Sequence, residues 1–321
     1  MAEPGDPPAS DINILNLQTL EITNVAVTIM RQEIGAGEHT CFPDERALPL
    51  QEREKSEALA FLAQRPLHTV YMASLIRDHG VDSPLNRGGF YSYRGSNGHL
   101  EGIALLGHAT LIETRTESSL TAFARLAQQS SLPYLIRGEE DLIKRFWSQY
   151  QKSGQGARRV CRELLLEQVT APRCPEVTGL RQATLDDLES VVRVNSEMAQ
   201  AESGTDPLER DPEGFRSRIA HRIARGRNWI WMEDGKLLFK ADIIAATPQV
   251  IYLEGIYVQP DERGKGYGST GLCQLGRILL RQADSICLTL NADKEKTKNF
   301  YDKAGYALRS YYDTIYLQPT H

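Results

Sequence analysis

The sequence predicts a mixed α/β chain of the α+β kind, and three observations predict it. Strand-like runs of alternating apolar residues and helix-like runs at three- and four-residue spacing follow one another in mixed order. Two turn dipeptides, Asn97-Gly98 and Asp234-Gly235, each stand between strand-like runs, as in β-hairpins. Near the middle, "TAPRCPE" (Thr170–Glu176) carries two prolines and no periodicity, which reads as a linker in a chain of 321 residues.

The elements justify this in order. Residues 1–45 are rich in Pro, Gly and acidic groups and read as a flexible tail with one apolar patch, Ile22–Met30. Residues 46–169 form a first α/β domain. Leu59, Phe61 and Leu62 mark one side of a helix that Pro66 should end, and Leu67–Asp78 a second that Gly80 closes. "GGFYSYRGSNGHLEGIALLG" is a hairpin and "ATLIETRT" a strand. "SSLTAFARLAQQS" and "EEDLIKRFWSQYQ" are helices, with "LPYLIRG" as a strand between them and "RRVCRELLLEQV" as a strand after them.

After the linker at 170–176, residues 177–321 form a second domain. Thr184 with Asp187 makes a capping box for a helix whose inner face carries Leu185, Leu188, Val192 and Met198. Asp211, Pro212 and Gly226 punctuate the next helix. "NWIWMEDGKLLFKADIIAA" is a hairpin and "QVIYLEGIYVQ" a long strand. Leu272, Leu275 and Leu279 continue a helix, "SICLTLN" is a strand, "KEKTKNFYDKAG" a helix, and "YALRSYYDTIYL" closes the chain as one or two strands.

A net charge of −5 argues against general nucleic-acid affinity. No apolar run approaches the length needed to span a bilayer, and the first 30 residues lack the basic and apolar regions of a secretory signal. Five cysteines without a C-x-x-C pair read as reduced thiols of a cytoplasmic protein. Scattered histidines suggest no metal site.

The most informative stretch is "RGKGYG", Arg263–Gly268, between the long strand and the helix. A phosphate loop of the P-loop type would need Ser or Thr after Lys265 and more residues before it. A dinucleotide fingerprint would need G-x-G-x-x-G at a first strand, whereas the spacing here is G-x-G-x-G after a hairpin. Glycines let successive N–H groups converge, and the helix adds its own amides and the positive end of its dipole. A pyrophosphate fits such a loop, with Arg263 and Lys265 adding charge; a tight surface turn would use the same glycines.

Arg263-x-x-Gly266-x-Gly268 matches the R/Q-x-x-G-x-G/A pattern of the GNAT family of N-acyltransferases, and Val177–Leu317 resembles that family in element order. The resemblance implies a GNAT fold, a mixed and mostly antiparallel sheet flanked by helices, with two strands splayed around acetyl-CoA. Backbone groups of Ile256, Tyr257 and Val258 would pair with the pantetheine arm, and Gly264, Lys265, Gly266, Tyr267, Gly268 and Ser269 would wrap the pyrophosphate beside Arg263. "NADKEKTKNFYDKAGY" resembles the family's last helix and puts Tyr301 on its tyrosine. Lys294 stands where the family has asparagine, so Asn291 is expected to make that pantetheine contact.

Acyl transfer expels a thiolate, which an O–H donor can protonate, so Tyr301 is the candidate general acid. A tyrosine packing its helix on the sheet is the plainer reading. An ammonium acceptor must lose a proton, and Glu254 is the first candidate base. Period-two alternation puts it on the same sheet face as Ile256 and Val258. Glu202 is the second candidate, in an acidic stretch with Asp206, Glu209 and Asp211 that suits a cationic amine. Paired or solvated charges are the alternatives for both.

"FLAQRPLHTVYMASLIRDHG", "GGFYSY", "AFARLA" and "RELLLEQV" resemble the N-terminal half of two-domain GNAT proteins, with the order of a degenerate GNAT unit. "ETRTESSL" has no glycines where a phosphate loop would be, so no acyl-CoA is expected there. The activity expected is transfer of acetyl from acetyl-CoA to a small-molecule or peptide amine, without metal, nucleic acid or membrane. A non-catalytic acyl-CoA-binding module and a nucleotide-phosphate binder are the alternatives.

Overall fold

The computed structural model describes residues 46–130, 133–204 and 206–318, the side chains of 202, 203, 295 and 296 excepted. The expected tail at 1–45 lies outside the described residues.

The described chain divides into two compact units, 164–310 and 46–163 with 311–318. These differ from the expected 46–169 and 177–321 at two strands. Residues 164–168 of β6 (Ala157–Gln168) go with the C-terminal unit, and 311–317 of the last strand, β12 (Ala307–Leu317), go with the N-terminal one.

The N-terminal unit contains β1 (Ala47–Pro49), α1 (Lys55–Leu62), α2 (Pro66–His79), β2 (Gly88–Arg94), β3 (Leu100–Gly107), β4 (Ala109–Thr114), α3 (Glu117–Gln128), β5 (Leu135–Glu139) and α4 (Glu140–Tyr150). Pro66 does not simply end a helix. It occupies the first turn of α2, where its missing N–H costs nothing, and Gly80 at φ +81° caps the far end. Strands β1 to β4 pair antiparallel, and β4 pairs parallel to β5 from Ala109 with Leu135 to Leu111 with Arg137. The other edge of β5 is taken by Tyr312–Tyr316 of β12, antiparallel. Leu120, Phe123, Phe146 and Tyr150 fill one face of this sheet; Phe61, Leu62, Met72 and Ile76 fill the other.

The C-terminal unit contains β7 (Leu180–Gln182), α5 (Leu188–Ser203), α6 (Pro207–Arg210), α7 (Pro212–Ala224), β8 (Asn228–Glu233), β9 (Lys236–Ala246), β10 (Val250–Val258), α8 (Tyr267–Leu279), β11 (Ser285–Asn291) and α9 (Glu295–Lys303). The Thr184–Asp187 capping box forms, Asp211 caps α7, and Asp234-Gly235 turns the β8–β9 hairpin with positive φ at both residues. Leu185 is 60% exposed, against expectation, because it lies in the 3-10 turn before α5 rather than on its inner stripe.

Strands β7 to β10 are antiparallel, and β10 runs parallel to β11 only from Val250 with Ser285 to Tyr252 with Cys287. Beyond Tyr252 no pairing joins the two strands among the described residues. Phe239, Ala241, Leu253, Ile256 and Val258 pack with Leu272, Leu275 and Leu279 of α8 on one face. Ile230 and Tyr257 pack with Val191, Val192, Ile219 and Ile223 of α5 and α7 on the other.

Candidate functional site

The site is built around an irregularity in β10. Glu254 pairs with Asp242 and Tyr257 with Lys240, so Gly255 and Ile256 together face the single residue Ala241. That is a β-bulge, and it rests on Gly255 at φ +61°, a conformation other residues enter at a cost. The extra residue reverses the alternation. Leu253, Ile256 and Val258 share the α8 face. Glu254 therefore falls on the α5/α7 face, opposite to Ile256 and Val258. Strict period-two counting had put all three together, and the bulge corrects it.

Three hydrogen bonds hold the bulge from beneath. Lys240 Nζ donates to the Gly255 carbonyl at 3.1 Å and to Asp242 Oδ2 at 2.5 Å, and Asn228 Nδ2 donates to Asp242 Oδ1 at 2.7 Å. Lys240 and Asp242 are 0% and 1% exposed, so a full ion pair lies in the interior. Glu254, 9% exposed, accepts from the Tyr252 hydroxyl at 2.7 Å, and that hydroxyl lies 3.1 Å from Thr289 Oγ1 on β11. Sequence reasoning missed Asn228, Lys240, Asp242, Tyr252 and Thr289. One signal was available, the pair Lys240-x-Asp242 in the otherwise apolar run "LLFKADIIAA".

At the end of β10 the chain makes a 3-10 turn, Pro260–Glu262, and enters the glycine segment. Arg263 Nε donates to the Val258 carbonyl at 3.2 Å, tying the loop to the strand end. Lys265 Nζ reaches back to Glu262 Oε2 at 2.8 Å, and this carboxylate raises the lysine pKa. Gly264 and Gly266 take positive φ, and Gly266, at φ +87°, is the N-cap of α8. The helix thus starts at Tyr267, so Gly268 and Ser269 belong to its first turn rather than to the loop. Ser269 Oγ and the Thr270 N–H both turn inward to the Gly266 carbonyl. Among the described residues, the N–H groups of 265–269 make no hydrogen bond within the chain. Five amides at a helix N-terminus, with the positive dipole end behind them, are the chemistry of an anion site.

Tyr301 comes from α9. It is 1% exposed and packs edge-on to Phe300 and Tyr306, with ring centroids 5.1 and 5.7 Å away. It belongs to the same apolar cluster as Ile256 and Val258, and burial pushes its phenol well above the usual tyrosine range. Asn291 ends β11, where its side-chain oxygen accepts from the Asp293 N–H at 3.0 Å. Glu202 falls in the last turn of α5, and its side chain lies outside the described set. Two members of the acidic stretch are structural. Asp206 caps α6 and accepts from Ser196 at 2.5 Å, and Asp211 caps α7 and pairs with Arg218. Among the described residues no group of His, Cys, Asp and Glu is arranged to hold a metal, and no helix is long and apolar enough to cross a membrane.

This arrangement, two strands parting beyond one short parallel pairing with a bulge and a glycine-capped helix beside it, agrees with comparison to known families. The description "Acetyltransferase (GNAT) family" matches residues 191–306. Residues 191–306 are thus similar to GNAT acetyltransferase domains. No curated protein matches the chain. Solved structures share the fold over most of the length. A Drosophila protein is 13% identical, with TM-score 0.62, covering 86% of this chain and 99% of its own. A GCN5-related N-acetyltransferase from Sphaerobacter thermophilus is 14% identical, with TM-score 0.54, covering 85% and 96%. A tandem GNAT protein from the clavulanic acid biosynthesis pathway is 12% identical, with TM-score 0.53, covering 86% and 99%.

The N-terminal unit is a second GNAT-like unit, and register relates its residues to the GNAT domain. Counting from the first parallel pair, Glu113 occupies in β4 the place of Glu254 in β10. Its surroundings differ. Glu113 is bound by Arg115 and by Arg65 at 3.4 Å, and Arg65 also binds Glu139. Only Arg115 and Thr116 connect β4 to α3, and the Thr116 hydroxyl caps α3 by accepting from the Ser119 N–H. Here the helix start is satisfied by the protein's own side chains.

Proposed function

We propose that the chain is an acyl-CoA-dependent N-acyltransferase that moves an acetyl group from acetyl-CoA to a small-molecule or peptide amine by direct attack. The observation that carries this reading is the row of unbonded amides at 265–269, beside the edge of β10 that β11 leaves after Tyr252. Residues 264–269 would receive the pyrophosphate, and the main chain of Ile256, Tyr257 and Val258 would pair with the pantetheine amides as an added strand. Asn291 keeps its amide nitrogen for a further contact there. The thioester supplies an activated acyl carbon and a thiolate leaving group.

The rest falls to side chains. Glu254, on the α5/α7 face, accepts the proton that the acceptor ammonium gives up, directly or through one water. Tyr301, on the α8 face, donates its phenolic proton to the departing sulfur. Its phenol is protonated at physiological pH, and its place in the cluster with Ile256 and Val258 supports this role. The two groups lie on opposite faces of the sheet, which separates the incoming proton from the outgoing one. Glu202 remains the second candidate base. In the N-terminal unit, the capped α3 and the guanidinium-bound Glu113 support the absence of a second acyl-CoA site.

The test is release of free thiol from acetyl-CoA with a panel of primary amines: an amino acid, an amino sugar, a polyamine and an arylalkylamine. Tyr301→Phe is expected to lower kcat by about 10²-fold or more while KM for acetyl-CoA stays within about threefold. Acetyl-CoA binding without turnover on any amine, unchanged by Tyr301→Phe, would instead establish a binding module. Competition by ATP but not by CoA would defeat both readings.

A further inference from the structure

Tyr252, Glu254 and Thr289 make a side-chain bridge from β10 to β11 at the point where the two strands part. The last parallel pair is Tyr252 with Cys287; two residues further along each strand stand Glu254 and Thr289. The phenol has one proton. It lies 2.7 Å from Glu254 Oε1, which as a carboxylate can only accept, so the Tyr252 O–H donates to it. The contact with Thr289 Oγ1, 3.1 Å, then has the threonine hydroxyl as donor to the phenol oxygen. Both donations run toward Glu254. Tyr252 and Thr289 are 4% and 5% exposed, so water does not compete strongly for either bond.

We propose that Tyr252 is a positioning residue for acyl transfer, fixing the Glu254 carboxylate on the acceptor side of β10, with Thr289 anchoring the phenol from β11. The inference rests on the reading of Glu254 as the base. Its physical content is simple. Burial disfavours a charged carboxylate, whereas a hydrogen bond donated to it favours the charge. A base in this place needs such a donor if it is to be ionised before the amine arrives.

Other described groups on this face come from the neighbouring elements. From β9 come Lys240 and Asp242, which neutralise each other. From β8 comes Asn228, spent on Asp242. From β11 comes the Cys287 thiol, buried opposite Tyr252. From α5, Glu197 and Arg193 act on the Tyr257 phenol with opposite signs. The Tyr252 hydroxyl, which donates to Glu254 Oε1 at 2.7 Å, is the donor to remove.

The experiment uses the full chain with Tyr252→Phe, Thr289→Val and Glu254→Gln. The acid limb of kcat/KM is measured with acetyl-CoA and the panel amine that wild type acetylates. In parallel, the Glu254 carboxylate is titrated by carbon-13 NMR, its resonance assigned by its loss in Glu254→Gln. Tyr252→Phe is expected to move both midpoints to higher pH by about one unit, the scale of one hydrogen bond to a charged group. KM for acetyl-CoA should stay within twofold. Thr289→Val should move them the same way by less, and Glu254→Gln should abolish the limb. A Glu254 midpoint that stays put in Tyr252→Phe overturns the inference and leaves the acyltransferase reading standing. Full turnover in Glu254→Gln removes Glu254 as base and overturns the inference with it.

Discussion

Lys240→Met tests the device that sets the bulge. The substitution deletes a fully buried ammonium and leaves the Asp242 carboxylate, 1% exposed, with the Asn228 amide. Breaking a buried ion pair from one side costs about 3–5 kcal/mol. Because Asn228 still donates to Asp242, the lower end applies, about 3 kcal/mol. In a unit of this size each kcal/mol lowers Tm by about 2–4 °C, so a fall of about 6–12 °C is expected. The double variant Lys240→Met/Asp242→Leu removes both charges and leaves no unpaired charge, although the Asn228 amide loses its acceptor. Its stability should exceed that of Lys240→Met by about 1–2 kcal/mol, because no buried charge is left unpaired. The double variant also lacks the donor to the Gly255 carbonyl, so acetyl-CoA affinity should fall about tenfold although the protein is stable, an estimate on the scale of one hydrogen bond. Thermal denaturation followed by circular dichroism gives the first quantity and titration calorimetry the second. A double variant no more stable than Lys240→Met would show that the pair does not act as a unit. Wild-type affinity in a stable double variant would show that the bulge holds without it.

Gly266→Ala places a side chain at φ +87° and should cost about 1–2 kcal/mol of stability, while lowering acetyl-CoA affinity at least tenfold in calorimetry because the amides behind it turn away. The Asp187 carboxyl is held down to about 2, first by the Arg181 guanidinium and then by the Thr184 N–H and hydroxyl. Its folded pKa is depressed, so its contribution is present above about pH 4 and fades as pH falls toward 2; Asp187→Asn should flatten Tm against pH over that window. Burial raises the phenols of Tyr301 and Tyr306, so the folded chain keeps protons that the unfolded chain releases above about pH 10. Stability should therefore fall as pH rises past about 10, and Tyr306→Phe should reduce that slope; a slope unchanged in the variant would show that Tyr306 ionises freely.

The sequence by itself determined what local chemistry decides. The capping box at Thr184–Asp187, the Asp211 cap, the turns at Asn97-Gly98 and Asp234-Gly235, and the glycine segment before α8 depend on residues within a few positions of each other. Their dihedral and hydrogen-bond preferences are therefore written in short words. Tertiary structure decided three things that no local pattern carries. It placed 311–317 beside β5, a pairing with about half the chain between the partners. Strand pairing is settled by which edges meet, and apolar alternation looks alike for any edge. It put the bulge at Gly255, where a glycine in a strand allows a bulge but does not require one, and so moved Glu254 to the face opposite Ile256. And it gathered Asn228, Lys240 and Asp242 under that bulge. A buried charge is stable only with its partners in place, and those partners are fixed by the folded sheet.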